Sequence, residues 1–238
     1  MIKYFYSILI LLVFQTHFAQ TKENFFEQTN EFLKNQVSVD GKINYSKLKK
    51  SPGELLYILS NTSNLKIDDE NNETQIAFWI NAYNLLVIKN ILENYPIKSV
   101  NFITDFFEKK FEIAGKSISL DEIELLTKNL INDPAKHFIL SNGSNGGPKL
   151  LNKAYMPDSV MYNISYILKT TINTTGYIRI VNKRDYIEFP TVFEKFKQDF
   201  VTQYFNQIDF LNVFLENKLN NKLKISYYSY DWSLNELN

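Results

Sequence analysis

The sequence predicts an α+β fold in which a buried central helix is surrounded by further helices packed on a small, mainly antiparallel sheet. Residues 76–95 form a run without Gly or Pro whose first half is apolar around nearly its whole circumference. Helical spacing dominates the first half of the chain, while short alternating segments joined by turns mark the second. No regular strand–helix–strand order appears, which argues against a parallel α/β sheet.

The central run reads IAFWINAYNLLVIKNILENY, and Pro96 closes it where a ring can no longer continue a helix. Phe78, Ala82 and Leu85 share one side, Trp79, Tyr83 and Leu86 a second, and Ile80, Val87 and Ile91 a third. A helix apolar on every side belongs inside a core. At about 1.5 Å per residue it spans roughly 30 Å, the diameter of a small domain. Lys89, Asn90, Glu93 and Asn94 gather on one face, so the second half is expected to emerge into water. Asn81 and Asn84 interrupt the apolar half. A buried amide without partners costs about 1–3 kcal/mol, so these two either staple neighbouring segments to the helix or, with Trp79, line a ligand cleft.

In chain order, Phe25, Phe26, Phe32 and Leu33 recur at helical spacing and predict an amphipathic helix over 21–36. Residues 37–48 are short and carry Gly41 and a candidate anchoring aromatic, Tyr45. A helix follows over 54–60, with Ser51 as N-cap and Pro52 in its first turn. Residues 61–72 are a polar linker whose Asp68, Asp69 and Glu70 form a solvated face or a helix start. Beyond the aromatic-rich 99–107, residues 109–119 read as a hairpin turning at Gly115-Lys116. Ser119 and Glu122 then form a capping box ahead of Ile123, Leu126 and Leu130. The acids of that turn suit a helix N-terminus better than a catalytic pair.

Asp133-Pro134 breaks this helix, and 137–140 are expected as a short buried strand. The loop SNGSNGGP at 141–148 holds three of the seven glycines. A helix over 156–169, a hairpin of 177–181 and 186–189 around 182–185, a largely helical aromatic stretch over 193–214 and a strand over 223–230 complete the chain. Trp232 in the terminal YDWSLN can bury on the order of 200 Å². It is expected to dock on the central helix, with Asp231 or Asn235 meeting Asn81 or Asn84.

Composition narrows function. The formal charge is zero and the lysines are scattered among acids, so no nucleic-acid partner is expected. With no cysteine there is no disulfide framework, thiolate nucleophile or Cys-based metal site. Lys3, the apolar run 4–14 and the Ala19–Gln20 junction predict a signal peptide over 1–19, although His17 suits the cleavage rule poorly. The run is short for a membrane span, which needs about 20 apolar residues. The expectation is therefore an exported protein, periplasmic or extracellular, with residues 20–238 forming one monomeric globular domain. Removal of the leader would leave His137 as the sole histidine, which excludes a His-rich metal site and leaves open only a carboxylate calcium site, for which no EF-hand spacing is present; no metal and no cofactor are expected.

FWINAYN with YPIKS, FEIAGKSISLDEIE (111–124), DPAKHF (133–138) and the terminal YDWSLN together resemble the signature of the family called domain of unknown function 547, DUF547. Its pattern after the histidine runs approximately D-P-R-x-H-F-x-L-x-C-x-x-x-x-C-P. This chain keeps His137 but has Ala135 at the arginine position, Asn142 and Gly147 at the cysteine positions, and Leu125 where a further histidine is usual. The resemblance implies a degenerate member that lacks the family cysteines. It would bind an unknown small molecule or an envelope protein through Trp79, Asn81, Asn84, Asn142 and Asn145.

The alternative is a divergent hydrolase or transferase using His137 with Ser141 or Ser144 and Asp133. A nucleophile and its base must approach to about 2.6–3.2 Å. On an extended strand residues 137 and 141 would lie roughly 13 Å apart, so a sharp reversal would be needed. A phosphate cradle in the glycine loop is a weaker reading, because Gly-Gly-Pro-Lys replaces the Walker order and proline removes a donor.

Overall fold

The computed structural model describes residues 22–181 and 186–237. The expected leader at 1–19 and the expected turn at 182–185 lie outside the described residues.

The first described element is α1 (Lys22–Gln36), which buries Phe25, Phe26, Phe32 and Leu33 as its spacing predicts. Two short helices follow, α2 (Tyr45–Lys50) and α3 (Gly53–Asn61). Ser51 closes the C-terminus of α2, its N–H donating to the Leu48 carbonyl, and Pro52 takes the N-cap of α3 without a side-chain bond. The expected Ser51 cap is thus one residue early, because Ser51 is already committed to the preceding helix.

The hub is α4 (Asn72–Asn94). Asn71 caps it by accepting from the Thr74 N–H at 2.8 Å, and a cis Tyr95–Pro96 peptide follows it. Phe78, Trp79, Ile80, Ala82 and Leu85 are all fully buried. Each large apolar side chain so removed from water contributes about 1.5–3 kcal/mol. Asn90 also lies inside, donating to the Phe106 carbonyl at 3.1 Å, so only part of the expected polar face emerges. Lys89 and Glu93 pair at the surface.

The strands β1 (Lys110–Ile113) and β2 (Lys116–Ser119) pair antiparallel, with Phe111 opposite Ile118. Their two-residue turn is Ala114-Gly115, both at positive φ (50° and 70°), one residue before the expected Gly115-Lys116. Positive φ at both central residues matches the right-handed twist of a hairpin. Ser119 and Glu122 form the capping box that opens α5 (Leu120–Leu130), which packs against α4.

Further on, α6 (Val160–Ile172) also touches α4. A second sheet has the order β3 (Arg179–Val181), β4 (Tyr186–Pro190), β5 (Lys224–Tyr228). The β3–β4 pair is antiparallel and the β4–β5 pair parallel. The connection between β4 and β5 runs through α7 (Val192–Lys195), α8 (Lys197–Tyr204) and α9 (Gln207–Phe214), whose Phe193, Phe200 and Phe210 pack ring on ring. The architecture is α+β, with the strands divided between two small sheets. The buried apolar residues form one contiguous cluster around α4.

Candidate functional site

Asp133 and Pro134 shape the region around His137. Asp133 Oδ1 accepts from the Ala135 N–H at 2.7 Å and Pro134 supplies the first helical position, so Pro134–Phe138 winds as a 3-10 helix rather than the expected strand. Three apolar residues after a histidine do not distinguish the two states by themselves, whereas a capped proline start does. The other Asp133 oxygen accepts from the Tyr204 hydroxyl at 2.9 Å. Asp133 is therefore fully engaged in holding this turn against α8.

The winding aims His137 at the junction of α7 and α8. Its ring stacks on Phe196, with centroids 3.8 Å apart and planes 11° from parallel, and Nε2 lies 2.8 Å from Asp199 Oδ2. Burial pushes the His137 pKa down to about 4, Lys128 and Lys136 push the same way, and the Asp199 bond opposes them. The imidazole is neutral at pH 7, and since a carboxylate can only accept, the proton sits on Nε2. Burial alone would raise the Asp199 carboxyl. Bonds from His137 and Lys136, with an ion pair to Lys136 at 3.2 Å, bring it below its ordinary value.

The 141–147 loop lies directly on α4. Ser141 N–H donates to Asn84 Oδ1 at 3.0 Å, and Gly143 packs over Val87 and Ile91. Ser144, Asn142 and Tyr230 close a ring of polar contacts. Ser144 Oγ donates to Asn142 Oδ1 (2.6 Å), Asn142 Nδ2 donates to the Tyr230 hydroxyl (2.7 Å), and that hydroxyl lies 2.9 Å from Ser144 Oγ. A Cβ at Gly147 would collide with Asn142 Oδ1 and stand 2.7 Å from the Tyr230 hydroxyl. Positions 142 and 147 thus face each other, and this polar ring fills the space between them. No bond joins Ser141 or Ser144 to His137 among the described residues, and Asp133 faces Tyr204. The proposed set of four is not brought together.

The terminal segment docks, but elsewhere than expected. Asn235 is buried, accepting from the Tyr45 hydroxyl at 2.8 Å and donating to the Gly41 carbonyl at 3.1 Å. Its backbone N–H donates to the Gly143 carbonyl. Asn145 donates to Ser233 Oγ and the Leu234 carbonyl, and Asp231 accepts from Ser233. Neither Asp231 nor Asn235 meets Asn81 or Asn84. Trp232 stays 36 % exposed beside Tyr230, so the expected burial of its indole on α4 is corrected. The loop already covers that part of the helix.

Between loop, tail, α5 and α7 opens a cavity of about 340 Å³. Tyr83 comes from α4, Asp121 and Glu124 from α5, Asn142 and Gly147 from the loop, Lys195 and Phe196 from α7 and its end, and Tyr230 and Trp232 from the tail. Of the five expected binding residues only Asn142 lines it. Asn81 is a two-point staple, donating to the Tyr155 carbonyl (2.7 Å) and accepting from the Tyr155 N–H (3.0 Å), and Asn84 holds Ser141. Trp79 is fully buried away from the cavity, its indole N–H without a partner among the described residues. The sequence reading missed Asp199, Phe196, Tyr83 and Tyr230. Tyr230 sits inside a recognised motif and Tyr83 inside FWINAYN, whereas nothing near Asp199 marks it.

Among the described residues, no group of three or more His, Cys, Asp or Glu side chains could hold a metal ion, and no helix is long and apolar enough to cross a membrane. Residues 67–167 match the family model described as "Protein of unknown function, DUF547". The match runs from ahead of α4 into α6 and includes every resembling motif except the terminal YDWSLN. No curated protein and no solved structure matches the chain.

Proposed function

We propose that this chain, whose residues 67–167 match the DUF547 family model, is a non-catalytic binding or accessory module of the cell envelope. The observation that carries this reading is the aromatic-walled cavity beside a histidine locked to Asp199 and a Ser144 locked to Asn142 and Tyr230. Its volume lies at the lower end of the range for small-molecule sites, about 300–1,000 Å³. Where the resembled pattern carries two cysteines, this chain carries a neutral hydrogen-bonded ring and a glycine that leaves room for it. Asn142 and Tyr230 line the cavity and are the residues that would orient a ligand.

Export, with a periplasmic or extracellular location, belongs to the same proposal and rests on Lys3 and the apolar run 4–14. Sequencing the N-terminus of the mature protein recovered from its host tests it. A chain that begins near Gln20 agrees, and an intact Met1 in a cytosolic fraction does not.

Trp232 provides the binding test, because it is one of two tryptophans and stands in the cavity wall. Fractionated small molecules of the envelope should change its emission saturably, and Trp232→Phe should abolish the change. Fractions that leave emission untouched but bind by calorimetry would send the site elsewhere.

A hydrolase or transferase remains the second reading because His137 Nε2 on Asp199 resembles the base-and-orienter half of a catalytic set. It needs a nucleophile, and the Ser144 hydroxyl is spent on Asn142 and Tyr230.

A further inference from the structure

The outer face of α6 carries side chains that packing does not require. Val160, Ile164, Ile167 and Leu168 face the core, which sends Tyr162 and Tyr166 to the opposite side, where polar residues are usual. Tyr162 is 70 % exposed and Tyr166 50 %. They stand one helical turn apart, with ring planes 20° from parallel and centroids separated by 6.3 Å. With Val39, itself 83 % exposed, and the 149–153 segment they enclose a surface groove of about 400 Å³. The groove shares no lining residue with the cavity described above.

Lys149 and Lys153 are the only charged residues in its lining, and neither has an ion pair among the described residues. Both are held in place. The Lys149 stem crosses Gly41, where φ is 84° and a Cβ would stand 2.7 Å from Lys149 Cγ. Lys153 donates to Asn163 Oδ1 at 2.9 Å, and its ammonium lies 5.8 Å from the Tyr166 centroid. Asp40, next to Val39, acts on Lys149 but is itself bonded to Ser38 Oγ at 2.5 Å. The groove therefore offers two exposed aromatic rings with ammonium groups beside them and no lining carboxylate.

We propose that this groove binds an acidic glycan, a chain of sugar rings bearing carboxylates, with sugar faces on Tyr162 and Tyr166 and carboxylates on Lys149 and Lys153. One face of a sugar ring presents C–H bonds of slight positive charge, which pack on the negative face of an aromatic ring. A carboxylate on that sugar complements the two ammonium groups. Both tyrosines are open to solvent, so a long chain can lie across them. A neutral glycan would use the rings and leave the lysines idle, and an acidic peptide would do the reverse. The site is separate from the cavity and does not depend on the role proposed for it.

The test is calorimetric titration of the protein with oligogalacturonate, a cello-oligosaccharide of matched length and poly-glutamate, which supply an acidic glycan, a neutral glycan and an acidic chain without sugars. Oligogalacturonate should bind, and more weakly as added salt screens the ammonium groups. It should exceed the neutral glycan by about tenfold, the scale of a hydrogen bond to a charged group, and poly-glutamate by a similar factor. Tyr162→Ala and Tyr166→Ala should each weaken it about tenfold, with melting curves unchanged because both side chains are exposed. Lys149→Gln combined with Lys153→Gln should reduce the acidic glycan to the level of the neutral one, while glutamine can still donate to Asn163. Tyr57→Ala, at a similarly exposed tyrosine of α3 outside the groove, should change nothing. No saturable heat from oligogalacturonate at millimolar concentration overturns the proposal, as does binding that all the groove variants retain. Equal binding of the two glycans refutes the acidic ligand, and equal binding of poly-glutamate refutes the sugar.

Discussion

Lowering the pH from 7 to 5 should destabilise the fold by about 2 kcal/mol through His137 alone. The unfolded chain binds a proton at this imidazole near pH 6.5, whereas the folded protein does so only near pH 4, because burial and the lysines Lys128 and Lys136 disfavour the imidazolium. Stability contributed by the neutral ring is fully present above pH 6.5 and declines as the pH falls toward 4. At pH 5 the unfolded state holds most of its proton and the folded state little of it. For a protein of this size, about 2 kcal/mol corresponds to a melting temperature lower by about 4–8 °C. Carboxylates held below their ordinary range, such as Glu93 and Asp231, act at lower pH, and a carboxyl held above it, Asp121, contributes equally to both proteins compared below. Melting curves across pH 5–7 for the native chain and His137→Gln provide the assay, because glutamine can still donate to Asp199 but cannot titrate. The variant should start lower at pH 7, having lost the Phe196 stack, and then stay nearly flat. Two parallel curves would refute the buried neutral histidine.

Other substitutions separate structural from site residues. Asn81→Ala leaves the Tyr155 N–H and carbonyl unpaired and should cost about 2–4 kcal/mol in denaturant unfolding, whereas Asn145→Ala on the exposed loop should cost under about 1 kcal/mol. Gly143→Ala places a methyl at φ 78° against Ile91 and Val87 and should lower stability by about 2 kcal/mol or more. Gly53→Ala, at the start of α3 with open space around it, should raise stability by about 0.4–1 kcal/mol. Gly147→Ala would set a methyl against Asn142 Oδ1 and the Tyr230 hydroxyl, break the Asn142–Ser144–Tyr230 ring and lower stability by about 1–3 kcal/mol in denaturant unfolding.

The hub was readable because the first half of residues 76–95 is apolar on nearly every side, which leaves few alternatives to burial. The capping box at Ser119 and the hairpin at Phe111–Ile118 were equally legible, since both are written in local chemistry. The 3-10 turn at Pro134–Phe138 escapes the sequence because a histidine and three apolar residues carry no period. Long-range partners were the hardest to see. His137 meets Asp199 across 62 residues and Asn142 meets Tyr230 across 88, and no local pattern encodes either pairing. Asn81 and Asn84 were singled out correctly as groups needing partners. Which partners they would have depended on how the Ser141 and Tyr155 segments come back to α4.

A non-catalytic role requires that no working nucleophile stand beside His137. Purified protein offered ester, amide, phosphoester and glycoside substrates, with envelope fragments among them, should show no turnover above that of His137→Gln and Ser144→Ala. Turnover by the native chain that disappears in both variants, with melting curves showing each still folded, would contradict it.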